Sequence, residues 1–181
     1  ERRIAVRGPH IPPDLRRVLD DPEVDEHPHR SLQLRPALVI RRQAGAIAEE
    51  VFARNPKHPG AAHYILHAYD HGSLASKALT AARAYAKIAP EASHALHMPA
   101  HTFTRVGSWQ ESIDTNILSA EAAVRDGTFA EALHAMDYEV YAFLQTGQDA
   151  AARRMVDEAP RVLARLDPNA MGGAAPGVAG L

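Results

Sequence analysis

The chain has 181 residues, a formal net charge of −2 at pH 7 and no cysteine. This length is enough for one domain with a real core, and the lack of cysteine excludes disulfides, thiolate metal sites and a cysteine nucleophile. No apolar run approaches the roughly 20 residues that span a bilayer. The arginines near the start are interleaved with acidic residues. We therefore expect neither a membrane nor a nucleic acid as a partner.

The residues at the start of the chain do not form a signal peptide, so the expected compartment is the cytoplasm. The sequence begins with Glu1 rather than methionine. A preceding N-terminal portion, a signal peptide included, is compatible with that start.

The predicted elements fall into three regions. Residues 1–36 hold six prolines, which predicts a largely irregular N-terminal segment. Residues 37–168 form a helical repeat domain, and the Gly- and Ala-rich residues 169–181 form a flexible tail. No stretch alternates between apolar and polar residues, so the predicted class is all-α. Breaks at proline, glycine and asparagine divide the middle region into seven helical segments: Gln43–Arg54, Pro59–Asp70, Leu74–Ile88, Ala92–Val106, Trp109–Arg125, Phe129–Thr146 and Asp149–Leu166.

A repeat becomes visible when the prolines that close two of these segments are compared. Pro56 and Pro90 lie 34 residues apart, which is the period of the tetratricopeptide repeat. In this register, units begin at Pro59 and Ser93, and a third begins at Leu133 after about six extra residues. Half a unit precedes them. The sequence thus predicts a tetratricopeptide-type solenoid of about three and a half repeats.

The same register assigns most of the histidines to one surface. In this type of repeat the first helix of each unit faces a concave groove, and prolines and glycines alone set the phase. The predicted groove side chains are His63, His67, Asp70 and His71 from the first unit, His94, His97, His101 and Arg105 from the second, and His134, Asp137 and Tyr141 from the third.

Two histidine pairs within this set have the spacing of metal ligands on a helix. His63 and His67 are four residues apart, as are His97 and His101, so each pair shares a helix face. Pairs on packed helices can converge on one ion, and neutral imidazole suits zinc, copper or iron. We therefore predict a transition-metal site with these four histidines as its leading ligands. The remaining groove residues surround it, and its aspartates either bind the ion or orient the rings.

Three functions are compatible with this pattern. The first is a metal-binding groove, which as an enzyme would carry out metal-assisted hydrolysis or oxidation. The second is a non-enzymatic scaffold that binds a peptide, a protein or a small molecule in the groove. The third is a pH-sensitive assembly module, because clustered histidines repel each other once they are charged. A missing half unit also leaves an apolar end that a second copy of the chain can cover, which allows a homo-oligomer.

Three strings resemble a family of bacterial tetratricopeptide-repeat proteins. They are HPGAAHYILHAYDH at 58–71, ARAYAKIAPEASHALHMPAHTFTRVGSWQESI at 82–113 and ALHAMDYEVYAFLQTGQDAAAR at 132–153. Members of that family carry similar strings, notably around HPGAAHY and HALHMPAH. The resemblance spans roughly residues 43–160 and implies the helical-repeat fold, but it does not imply a particular reaction.

Overall fold

A computed structural model describes the backbone of residues 28–166 and the side chains of residues 37–166. The described residues form helices and turns without a β-strand, which confirms the predicted all-α class. The helices are α1 Pro28–Arg54, α2 Pro59–Ala68, α3 Leu79–Ile88, α4 Ser93–Val106, α5 Trp109–Asp126, α6 Phe129–Gln145 and α7 Asp149–Leu163. A short 3₁₀ turn, Ala75–Ala78, precedes α3.

The first helix differs from the prediction. Its backbone is helical from Pro28, whereas the prolines predicted an irregular segment as far as residue 36. Proline is tolerated at the first position of a helix, so a proline-rich sequence does not exclude a helix that starts at one. The rest of the predicted N-terminal segment, and the predicted tail, lie outside the described residues. The chain divides into two compact units between Gln43 and Ala44, and all that follows concerns the second.

Local signals set the ends of the helices that carry the histidines. The His58 side chain accepts a hydrogen bond from the N–H of Ala61 at 3.1 Å, and Pro59 occupies the first position of α2. Gly107 has a φ of 76° and ends α4 in the left-handed conformation, which glycine adopts without steric cost. The sequence predicts Pro59 as the first residue of a helix and Gly107 as the stop of another, and both predictions are confirmed.

Helix packing places three of the helices side by side. From α2 onward each helix packs against the next, and in addition α2 packs against α4 and α4 against α6. The core between them is rich in alanine, which allows close approach of the helix axes. The helices that carry the predicted groove residues, α2, α4 and α6, therefore form one contiguous layer.

No helix in the described part of the chain is long and apolar enough to cross a bilayer.

Candidate metal centre

Six histidines on α2, α4 and α6 form two groups of three. Within each group one ring nitrogen per residue lies within 4.8 Å of the others, so each group could hold a metal ion after small side-chain shifts. We call them the outer group and the inner group, because the second is the more buried. The outer group is His63, His67 and His94, and the inner group is His97, His101 and His134.

The outer group is built around His63 on α2. Its Nε2 atom lies 2.9 Å from Nε2 of His67, one turn along the same helix, and 3.1 Å from Nε2 of His94 on α4. The Tyr85 ring stacks on His63 with 5.7 Å between ring centres. Burial, together with the neighbouring rings of His67 and His94, lowers the pKa of His63 to about 4. Three Nε2 atoms thus converge, and the central imidazole is neutral at pH 7.

The start of α4, which presents His94, is anchored to two other helices. The hydroxyl of Ser93 donates to the carboxylate of Glu131 on α6. The carbonyl of the same residue accepts a hydrogen bond from the hydroxyl of Ser119 on α5 at 2.8 Å. Ser93 and Ser119 are both buried. These contacts hold the N-terminal turn of α4 in place and thereby position His94 near the histidines of α2.

The inner group is centred on His97, which is only 4% exposed. Its Nε2 atom lies 3.0 Å from Nε2 of His101, one turn further along α4. The ring of His134 on α6 completes the group, with its centre 4.5 Å from that of His97. Burial and the neighbouring His101 lower the pKa of His97 to about 3, and burial also lowers the pKa of His134. His97 is therefore neutral at pH 7.

Asn116 on α5 determines which nitrogen of His97 carries the proton. The Nδ2 group of Asn116 donates to the carbonyl of Ser112 at 2.8 Å, so its Oδ1 atom is the one that faces His97. That oxygen lies 2.7 Å from Nδ1 of His97, and an amide oxygen can only accept. Nδ1 of His97 must therefore carry the hydrogen. In the neutral ring this leaves Nε2 with a free lone pair.

Asp70 has the same effect on His101. Its Oδ2 atom lies 3.2 Å from Nδ1 of His101, and its Oδ1 atom accepts from Nε of Arg105 at 2.8 Å. Hydrogen bonds from these two partners hold the pKa of Asp70 well below its usual range, so the carboxylate can only accept. Nδ1 of His101 therefore donates to it. The hydroxyl of Tyr138 also lies 3.3 Å from this nitrogen and contributes to the enclosure of the ring.

The Nε2 atoms of His97 and His101 face each other at 3.0 Å. Because both rings carry a hydrogen on Nδ1, Nε2 of His97 presents a lone pair to Nε2 of His101. A metal ion bound by both Nε2 atoms satisfies this contact, as does a hydrogen on Nε2 of His101. Two imidazoles bound to one ion at about 2.1 Å have their nitrogens about 3.0 to 3.4 Å apart, depending on the angle at the metal. The observed separation fits that range.

The structure distributes the predicted ligands differently from the prediction. Each predicted pair stays together, but the two pairs belong to separate groups, and His94 and His134 complete them. Each pair meets a histidine of the next helix in the layer: His94 of α4 joins His63 and His67, and His134 of α6 joins His97 and His101. The described residues thus hold two three-histidine groups in place of the single four-histidine site predicted from the sequence.

The other predicted groove residues have varied surroundings. Asp70 and Arg105 orient His101, as described. His71 lies apart from both groups and contacts Ser73, with Nδ1 3.1 Å from the hydroxyl. Asp137 and Tyr141 line a cavity of about 530 Å³ beside the inner group, where Tyr141 also packs edge-on against Trp109.

Two residues of the inner group's surroundings are absent from the prediction. Asn116 is fully buried, and a polar residue at a position where the repeat prefers a large apolar one was the signal that could have identified it. Tyr138 lies one residue from the predicted groove position of Asp137. Its ring is 4.9 Å from that of His97 and 5.0 Å from that of His101, and no spacing rule indicated it.

Comparison with protein-family models gives no match to this sequence, and no curated protein matches it significantly.

Proposed function

We propose that this chain is a tetratricopeptide-type repeat protein of the bacterial family whose strings it resembles, and that its α2, α4 and α6 layer binds transition-metal ions. The order of the helices supports the repeat assignment, because α2 with α3, α4 with α5 and α6 with α7 form successive packed hairpins. The leading helices of these hairpins also contact one another in order, as in a stacked solenoid.

One observation carries the metal proposal: the Nε2 atoms of His97 and His101 face each other at 3.0 Å while Asn116 and Asp70 hold the hydrogens on the opposite nitrogens. Ligating histidines characteristically donate their other N–H to a carboxylate or carbonyl, which fixes the ring and raises its basicity. Neutral imidazoles select zinc, copper or iron over magnesium or calcium.

The outer group is the second metal site in this proposal. The Nε2 atoms of His67 and His94 lie 2.9 Å and 3.1 Å from Nε2 of His63. Neither group contains a fourth protein ligand among the described residues. Three protein ligands leave a coordination position for water or a substrate, which is the composition of catalytic rather than structural zinc sites. Metal-assisted hydrolysis or oxidation is thus the reaction class that the groups support.

A non-enzymatic scaffold is the alternative. Tyr64 and Tyr141 are 68% and 48% exposed on the helices that carry the histidines, and exposed aromatic rings commonly anchor peptides. This function does not require a metal, so metal content separates the two proposals.

Elemental analysis of the untagged full chain tests the proposal. The protein is treated with a chelator, incubated with zinc and freed of excess zinc by dialysis. We expect two zinc ions per chain, and one each in His97→Ala and His67→Ala. His71→Ala, whose side chain belongs to neither group, is the matched control and should retain two. A zinc content no higher in the wild type than in a variant carrying both His67→Ala and His97→Ala would overturn metal binding and favour the scaffold.

A further inference from the structure

A cavity opens directly beside the inner group. Its volume of about 530 Å³ lies within the 300–1,000 Å³ typical of small-molecule pockets. His101 and Tyr138, which contact each other at the inner group, form one side of it. A ligand in this cavity would lie next to an ion held by the inner group.

Arg105 provides the cavity with a fork of hydrogen-bond donors. One of its five N–H donors, on Nε, binds Asp70 at 2.8 Å, and the side chain is 49% exposed at the cavity wall. The guanidinium stays positively charged, because the hydrogen bond with Asp70 raises the pKa of Arg105. The planar guanidinium matches the geometry of a carboxylate, to which it donates two parallel hydrogen bonds.

The charge of the cavity depends on the metal. The lining contains two carboxylates, Asp70 and Asp137, and one guanidinium, Arg105, so without a metal it has an excess of one negative charge. A divalent ion in the inner group reverses this to an excess of one positive charge, and an ion's own charge dominates local electrostatics. An anion is therefore repelled before the metal binds and attracted afterwards.

We propose that this cavity binds a small carboxylate ligand, and does so only when the inner group holds a divalent metal. Arg105 binds the carboxylate, and Tyr141, whose ring is held by Trp109, forms the outer wall. Asp137 disfavours the anion and limits its affinity. The inference rests on the proposed function and adds the chemical class of the ligand.

Cobalt(II) and acetate are suitable probes. The metal-free full chain is loaded with cobalt(II), and acetate is titrated at constant ionic strength while the visible absorption of the bound ion is recorded. We expect a saturable spectral change. Arg105→Gln should weaken acetate binding at least about tenfold, as expected for the loss of a charge-assisted hydrogen bond, and Asp137→Asn should strengthen it several-fold. Arg83→Gln, which removes an exposed cation that pairs with Glu111 away from the cavity, should leave it unchanged.

The titration separates failure of the carboxylate proposal from failure of the metal proposal. Cobalt binding without a saturable response to acetate would overturn this inference and leave the metal proposal intact, whereas failure to bind cobalt would overturn both. Weaker acetate binding in Asp137→Asn would also overturn it, because the Asp137 carboxylate would then favour the bound anion instead of repelling it. If Arg105→Gln loses cobalt, Arg105→Lys and Asp137→Asn provide the test, and the lysine variant should weaken acetate binding less than tenfold while it retains the metal.

Discussion

Replacement of Asn116 by alanine removes the group that fixes the proton on His97. Asn116 is fully buried, and its Oδ1 atom lies 2.7 Å from Nδ1 of His97. Without that acceptor, the buried N–H of His97 has no partner, which costs about 1–3 kcal/mol of folding stability. The ring is then also free to move its hydrogen to Nε2, the nitrogen that must bind the metal. Loss of an orienting partner of this kind typically lowers metal affinity about 10- to 100-fold.

The assay is zinc affinity by competition with a chromophoric chelator, in a background of His67→Ala so that only the inner group is measured. Ser119→Ala is the matched control. Ser119 lies one turn from Asn116 on α5 and is also buried. It too hydrogen-bonds to α4, but as a donor to the Ser93 carbonyl rather than as an acceptor from a histidine. It should lower stability and leave zinc affinity within about twofold. Equal losses of zinc affinity in both variants, or none in Asn116→Ala, would refute the orienting role of Asn116.

Two further predictions concern stability. Glu139 is buried on α6, and burial with the nearby charge of Glu121 raises its pKa to about 7 from a reference of 4.5. The folded protein therefore retains this proton at a pH where the unfolded chain has lost it. The contribution of the protonated Glu139 carboxyl to the free energy of unfolding is complete below about pH 4.5 and is lost as the pH rises through 7. In urea unfolding, the free energy of unfolding of Glu139→Gln should rise by up to about 3 kcal/mol relative to that of the wild type between pH 4.5 and 8. Gly45→Ala should lower the melting temperature, because a Cβ at Gly45 would overlap the ring of Tyr69.

These predictions have clear contrary outcomes. A difference between wild type and Glu139→Gln that stays constant with pH would show that the carboxyl ionises as freely in the folded protein as in the unfolded chain. For Gly45, the control is Gly72→Ala, since a Cβ at Gly72 meets no atom within 4 Å. Equal melting temperatures for the two alanine variants would contradict the packing of Tyr69 against α1.

The sequence was sufficient to predict the helices around the site because their ends depend on local chemistry. Pro59 at the first position of α2 and the left-handed Gly107 after α4 are signals that act over a few residues. The third of these helices was predicted as Phe129–Thr146 and begins at Phe129. The repeat register alone sets the start of the third unit at Leu133, about one turn after the helix begins.

The composition of the two histidine groups depends on distances that the sequence does not contain. Periodicity placed His63 with His67 and His97 with His101, which the structure preserves. It could not show which neighbouring helix supplies the third ligand, because that depends on the separation and rotation of packed helices. The role of Asn116 was similarly hidden, since it arises from the contact between α5 and α4 rather than from a motif.

The position of bound zinc is the decisive test of metal binding at the inner group. Crystals of the full chain grown with zinc, measured on both sides of the zinc absorption edge, would locate each ion by anomalous scattering. We expect one zinc ion about 2.0–2.1 Å from Nε2 of both His97 and His101, with His134 as the third ligand. Asn116 and Asp70 should remain on the opposite nitrogens. Zinc-free electron density between those rings, with the imidazoles hydrogen-bonded to each other in the presence of excess zinc, would contradict it.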